Sequence, residues 1–409
     1  MSILSELLVR IGVDDKGVDK GTAGAESKLS KFSSKMGTVL KTAGVAAGAI
    51  GGAAIASGIA NTLNVETAQK KLQAQLGGTG PMAAEMGGIA GKLYANAYGE
   101  NLGEVNDAVL QVVHSGALME DATNEQIQSI TAQAMSMKQV FGVDVADSMR
   151  AVGQMMRTGM APDAQAAMDI LVRGFQNGND KAGDLLDTFN EYSTQFRKLG
   201  LDGQTAMGLI SQGLQAGARD SDLVADAIKE FSIRAVDGSK TTAEGFQAIG
   251  LNADQMTAKI AQGGPVASAA LGETLNALRA VKDPAERAQV AVKLFGTQAE
   301  DLGAALFALD PSRAVGAMGQ VAGAAQKMDA TIGDTAQNKI TSMQRSWDQW
   351  TTSLVAANGP LGSAAAGVMA FGQSGLSMAG NMAMVGVAMG PFSGKILGLA
   401  GDVAMSTGR

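Results

Sequence analysis

The 409-residue chain carries a formal net charge of −7, no cysteine and a single histidine, His114. This charge provides no basic surface for wrapping nucleic acid, so sequence-specific nucleic-acid binding is not expected. The lack of cysteine excludes disulfides and thiolate sites, and a lone histidine excludes a histidine metal cluster. With 4% aromatic residues against 54 glycines and 23 methionines, the composition favours thin helices in close contact.

Residues 1–64 are predicted to hold a short strand and one hydrophobic helix. Glu6 to Val13 alternates weakly and is β-branched toward its end, which is typical of a short strand. The first eleven residues lack an apolar core bounded by a cleavage site, so no secretory signal is expected.

The hydrophobic helix is the uncharged Gly/Ala stretch from Thr42 to Ala60. Its glycines are spaced so that small residues share one face, where a second helix can approach closely. These candidates for helix association or membrane contact are Gly44, Gly48, Gly52 and Gly58. The stretch is only just long enough to cross a bilayer, so it predicts either a membrane-spanning helix or a helix packed on protein.

Residues 65–311 are predicted to form a domain of short linked helices. Three corners there consist of a glycine, an apolar residue and an Asp or Asn. This pattern ends one helix at the glycine and starts the next at the polar residue. The corners are Gly142-Val143-Asp144, Gly200-Leu201-Asp202 and Gly250-Leu251-Asn252.

Further helix starts in this domain are predicted from prolines and from capping boxes. The helix starts predicted from proline are Asp283-Pro284, Asp310-Pro311, Ala161-Pro162 and Gly264-Pro265. The predicted capping boxes pair Thr123 with Gln126, Thr241 with Glu244 and Thr297 with Glu300. Apolar residues also recur at helical spacing, which predicts buried stripes. The stripes are Leu185, Phe189, Tyr192, Phe196 and Leu199, then Val224, Ile228, Phe231 and Ala235.

Residues 312–348 are predicted to form a helical connector of small and polar residues. Residues 349–409 are predicted to form a hydrophobic helical region that follows it. Gln349 to Gly394 contains no charged residue. Trp347 and Trp350 share a helix face at the point where the charged residues of the chain end. This position suits either a membrane interface or a hydrophobic cluster. Gly386 and Gly390 are further candidates for helix association or membrane contact.

No catalytic, cofactor or metal site is predicted. The carboxylate pairs Asp144 with Asp147 and Asp220 with Asp222 are interpreted as helix starts, where they complement the helix dipole. His114 stands at an apparent helix end, which favours a capping or packing role. The run from Gly390 to Lys395 is not a phosphate loop, because only three residues separate its glycines.

The fold class is therefore all-α, with a helical middle domain flanked by hydrophobic helices rich in Gly, Ala and Met. The chain resembles the N-terminal and middle part of phage tail tape measure proteins over about residues 65–311. The resemblance is carried by Leu223 to Ser239, Phe246 to Leu251, Val292 to Pro311, Tyr98-Gly99 with Leu102 to Val109, and Phe141-Gly142-Val143-Asp144.

This resemblance implies a multi-copy helical protein, with coiled and hydrophobic helices, inside the lumen of the virion tail tube. It implies that the protein sets tube length during assembly in the host cytoplasm and acts in genome delivery, in some relatives by inserting in the host membrane. The implied partners are the tail tube protein, the tail assembly chaperones, the tail tip or distal tail proteins and further copies of the chain. No catalytic residue of the family is carried over.

Two expectations qualify this interpretation. Fully helical, the chain would reach only about 600 Å, which implies a short tail, a truncated sequence or a partial loss of the ruler role. The alternative hypothesis from another class is a membrane-active, pore-forming helical protein or toxin that uses the same hydrophobic segments.

Overall fold

The computed structural model describes residues 74–75, 80–118 and 122–356 of the chain. In these ranges it contains sixteen α-helices and one 3-10 helix, with no strand. The predicted all-α class is confirmed, and the predicted strand from Glu6 to Val13 lies outside the described residues.

The helices in chain order are α1 (Gly80–Ala95), α2 (Leu102–His114), α3 (Asn124–Phe141), α4 (Val145–Arg157), α5 (Ala164–Gln176), α6 (Leu185–Lys198), α7 (Gly203–Gln215), α8 (Ser221–Arg234), α9 (Lys240–Ala248), α10 (Ala253–Gln262), α11 (Gly264–Ala280), α12 (Pro284–Phe295), α13 (Gln298–Leu302), α14 (Pro311–Met318), α15 (Ala324–Gly333) and α16 (Ala336–Ala356), with the 3-10 helix Gly303–Ala308 between α13 and α14.

The chain divides into two compact units. The larger unit comprises residues 106–332, and the smaller unit combines the described residues before residue 106 with those after residue 332. The predicted boundaries at 64/65 and 311/312 stay predictions, and the first of them lies outside the described residues. The segment after residue 311 belongs to the larger unit because α14 packs against α7 more extensively than against any other described helix.

Two of the predicted glycine corners have the geometry of a Schellman motif. At the first, Gly200 has a φ of 68°, and the Leu201 N–H donates to the Phe196 carbonyl at 3.0 Å. Asp202 then caps α7 by accepting from the Thr205 N–H at 2.8 Å. The corner from Gly250 to Asn252 repeats this arrangement, with 2.9 Å from the Leu251 N–H to the Phe246 carbonyl. Helix therefore follows helix through tight corners, as predicted.

The third corner differs at its cap. Gly142 ends α3 with a φ of 74°, but Asp144 makes no side-chain cap hydrogen bond although it occupies the N-cap position of α4.

The remaining predicted helix starts are correct in part. The capping box of Thr123 with Gln126 is present, and prolines begin α11, α12 and α14 as predicted. The Asp310 carboxylate caps α14, and hydrogen bonds from Ser312 hold the pKa of Asp310 below its ordinary value.

Two predicted starts are displaced, at Thr241 and at Ala161-Pro162, and the start predicted at Thr297 lacks its cap bond. α9 is capped by Ser239, whose hydroxyl accepts from the Thr242 N–H at 3.2 Å, so Thr241 is already inside the helix. Thr297 has helical backbone angles, from which its hydroxyl makes no cap bond. Ala161-Pro162 precedes the true cap of α5, which is Asp163.

The core of the larger unit is built from the predicted apolar stripes. All nine stripe residues are buried, and the Glu230–Arg234 ion pair forms beside the second stripe at 3.0 Å. Phe231 of that stripe stacks on Phe295 of α12 with ring centroids 4.8 Å apart and meets Phe246 of α9 edge-on at 6.5 Å. Buried methionines fill the space between helices elsewhere, among them Met137, Met149, Met155 and Met168.

Candidate functional site

The predicted association residues fall mostly outside the described part of the chain. Trp347 and Trp350 lie on α16, and their side chains are not described. The glycines Gly44, Gly48, Gly52, Gly58, Gly386 and Gly390 lie outside the described residues, so their role stays a prediction.

Among the described residues, no helix combines the length and the apolar character that crossing a membrane requires.

Close helix contact through glycine does occur within the larger unit. A Cβ added at Gly208 of α7 would overlap the backbone carbonyl of Ala314 in α14. At Gly213, one turn and a half further along α7, an added Cβ would lie 2.7 Å from Val224 of α8. Glycine at these positions lets two helices approach α7 more closely than any side chain would allow.

Polar side chains of α5 fix both ends of the α14–α15 connection. The Arg173 guanidinium donates to the Met318 carbonyl at the end of α14, at 2.8 Å. The Asp169 carboxylate is 5% exposed and accepts from the backbone N–H groups of Gly323 and Ala325, at 2.7 and 2.9 Å. The two side chains satisfy backbone groups that the helix ends leave without an intrahelical partner.

In the smaller unit, Arg345 of α16 makes a polar contact with the turn that follows α1. Its guanidinium donates to the carbonyls of Tyr94, Tyr98 and Gly99 at 3.1, 2.9 and 2.7 Å. It also lies 4.1 Å from the centroid of the Tyr94 ring. Burial lowers the pKa of the Arg345 guanidinium, which marks a partly desolvated cation held by carbonyl dipoles and an aromatic face.

The turn held by Arg345 contains Ala97 in the left-handed conformation, with a φ of 72°. Ala97 occupies the position after the helix end that usually holds glycine, and the Tyr98 N–H donates back to the Leu93 carbonyl at 3.2 Å. A Cβ at this φ is unfavourable, so the turn is strained relative to a glycine turn.

The predicted carboxylate pairs lie at helix starts. Asp220 caps α8 by accepting from the Leu223 N–H at 2.8 Å. Asp222 accepts from the Tyr192 hydroxyl at 2.9 Å, and burial together with this bond raises the pKa of Tyr192. Asp147 of the other pair forms an exposed ion pair with Arg150 at 2.9 Å. These contacts are those of capping and packing groups.

One cleft of about 340 Å³ lies at the corners that precede α4 and α6. Phe141 and Phe175 stack in its wall with ring centroids 4.9 Å apart. Four aspartates line it, namely Asp144, Asp147, Asp180 and Asp187. Two of them are engaged within the chain, because Asp147 pairs with Arg150 and Asp180 accepts from the Leu185 N–H at 2.9 Å.

His114 is the last residue of α2, as predicted, and it is exposed. It therefore ends the helix without packing in a core. Among the described residues, no group of three or more His, Cys, Asp and Glu side chains is placed to hold a metal ion.

The structural roles of Asp169 and Arg345 were not predicted from the sequence. Asp169 had a local signal, since it is the one charged residue in the apolar run from Ala166 to Val172, and a carboxylate inside such a run must be hydrogen-bonded. Arg345 had none, because it lies in a polar helix and its partners are 246 to 251 residues earlier.

Comparison with known proteins identifies the family. The model of a family described as phage-related minor tail protein matches residues 82–296. A curated protein of Streptomyces phage phiC31, named "Probable tape measure protein", is 47% identical over 318 residues, which is 78% of this chain and 44% of the relative. No solved structure matches the chain.

These findings confirm the resemblance drawn from the motifs between Tyr98 and Pro311. The chain spans less than half the length of the phiC31 relative. The family match covers more than half of this chain and includes α2 to α12. The chain belongs to the family of phage-related minor tail proteins.

Proposed function

We propose that this chain acts as a tape measure protein, which sets the length of a phage tail tube and takes part in tail assembly and genome delivery. The observation that carries the proposal is the 47% identity over 318 residues to the phiC31 protein of that name. The helical architecture of the described residues supports it, since an extended helix gives a fixed length per residue.

As a member of a phage tail family, the protein belongs in the virion tail and acts together with other tail proteins. The finer assignments are part of the proposal. They place the chain in the lumen of the tube in several copies, in contact with the tube protein, the assembly chaperones and the tip or distal tail proteins. Assembly in the host cytoplasm and insertion in the host membrane at infection belong to the same proposal.

The larger unit bears on how the length would be set. Residues 106–332 would extend about 340 Å as one straight helix at 1.5 Å per residue. A compact unit of this size has a radius of gyration of about 17 Å. Within the proposal, the folded larger unit therefore acts in tail assembly, and residues outside it set the length of the tube.

Tube length in the phage tests the proposal. Removing about 18 or 36 residues from the region 349–409 should shorten the tube by about 27 or 54 Å, at the helical rise of about 1.5 Å per residue that the proposal assigns to this region. Electron microscopy of purified tails measures this change.

As a matched control, deletion of α12 and α13 (Pro284–Leu302) removes a similar number of residues from the packed core. It should lower the yield of tails without a proportional shortening. Tubes of unchanged length in both deletions of 349–409 would remove the length-setting proposal.

We also propose that the chain acts by contact and not by catalysis. The support is that Asp169, Asp202 and Asp220 all cap helices through backbone amides. Incubation of the purified protein with cell-wall polymer should release no fragments, and measurable hydrolysis would contradict this part of the proposal.

A further inference from the structure

The helix α16 is attached differently from the helices of the larger unit. Its described side chains, residues 336–346, are all exposed or half-buried. By contrast, α1, against which it packs, carries the buried residues Met86, Ile89, Ala90 and Leu93. Within those described residues α16 therefore lacks the fully buried apolar stripe that usually fixes a helix to its neighbour.

Arg345 makes a polar contact between α16 and the end of α1 with the turn that follows it. Its guanidinium donates three hydrogen bonds to backbone carbonyls at the end of α1 and covers the Tyr94 ring. The planar, five-donor fork of arginine suits this arrangement, and lysine cannot reproduce it. One side chain thus holds several partners at once, so its loss removes these interactions in a single step.

The turn that receives Arg345 is itself strained at Ala97. A turn that left the left-handed conformation at Ala97 would lose this strain. The short turn of Asp334 and Thr335 links α15 to α16 and is called the hinge here. The structure thus combines a short connecting turn, a guanidinium that binds three carbonyls at once and a strained receiving turn.

We propose that α16 is a detachable strap, latched to the end of α1 by Arg345, and that its release is a conformational step of the protein. In the latched state, residues 333–356 are tied to residues 80–105. Release separates these segments at the hinge and leaves the larger unit folded, because residues 106–332 form a compact unit of their own. The freed helix then becomes available to another helix.

Distance measurement between spin labels tests the strap. The chain contains no cysteine, so the exposed positions Lys92 and Gln337 can be labelled uniquely as Lys92→Cys and Gln337→Cys. In the otherwise unchanged chain, one dominant distance is expected. Arg345→Ala should add a longer, broader population and raise the ratio of open to latched molecules at least about tenfold, because charge-assisted hydrogen bonds are lost. Arg345→Lys should give an intermediate ratio.

Two control variants make the result specific. Lys339→Ala removes a cation of the same helix whose ion pair, at 2.7 Å, is with Asp334 in the hinge turn, and it should leave the distance distribution unchanged. In the Arg345→Ala background, Ala97→Gly should move the population back toward the latched distance.

Two outcomes would overturn the proposal. The first is an unchanged distance distribution in Arg345→Ala. The second is the loss of cooperative unfolding of the larger unit in that variant, since α16 would then be part of its core. Limited proteolysis followed by mass mapping distinguishes these cases, because the proposal requires faster cleavage near residues 333–336 while residues 106–332 stay protected.

Discussion

Replacing Gly208 with alanine is expected to lower the free energy of unfolding of the larger unit by about 3 kcal/mol. The added methyl group would overlap the backbone carbonyl of Ala314. A clash with backbone cannot be relieved by a rotamer change, so α14 as a whole must move away from α7. The loss exceeds the gain of about 1 kcal/mol that alanine brings to a helix over glycine.

A matched substitution is available on the facing helix. Gly316 of α14 is exposed, and an added Cβ would meet nothing within 4 Å. Gly316→Ala should therefore raise stability by about 0.5 to 1 kcal/mol. Urea unfolding followed by circular dichroism measures both variants. If Gly208→Ala proves as stable as Gly316→Ala, the close approach of α7 and α14 is refuted.

Replacing Asp169 with alanine is expected to cost the larger unit about 3 kcal/mol. The carboxylate is buried and accepts from the backbone N–H groups of Gly323 and Ala325 and from the Gln165 side chain. Alanine leaves the half-buried amide of Gly323 and the buried amide of Ala325 without an acceptor. Asp169→Asn should cost less, because its single carbonyl oxygen still accepts one of the bonds.

Denaturant unfolding at neutral pH checks this prediction. The control is Asp147→Ala, which removes a carboxylate of the same charge from an exposed ion pair with Arg150 and should change stability by at most about 0.5 kcal/mol. Equal effects of Asp169→Ala and Asp147→Ala would show that the buried capping bonds contribute nothing measurable.

Local features of this protein could be predicted from its sequence because their causes lie within a few residues. Gly200-Leu201-Asp202 ends one helix and starts the next through bonds that span no more than five residues. The stripe from Leu185 to Leu199 is buried because its spacing places all its members on one face. The two failed capping boxes show the limit of this reasoning, since Ser239, two residues upstream, takes the cap that was assigned to Thr241.

Contacts between distant segments could not be predicted in this way. The segment after residue 311 was predicted to be a connector of small and polar residues, yet the backbone of Ala314 fits against Gly208. Gln212 also bonds both backbone groups of Asp310 across 98 positions. Arg345 likewise finds its carbonyl partners only when α16 lies against α1. Pairings of this kind depend on how helices are arranged in space, which periodicity alone does not specify.

The most direct test of the account is the change in tube length per residue removed. We propose that a compact helical body, residues 106–332, is carried by a protein whose other residues set tail length. Electron microscopy of tails from phage that carry graded in-frame deletions within 349–409 should give a slope of about 1.5 Å per residue. A slope of zero would contradict the account, as would the same slope for deletions within 106–332.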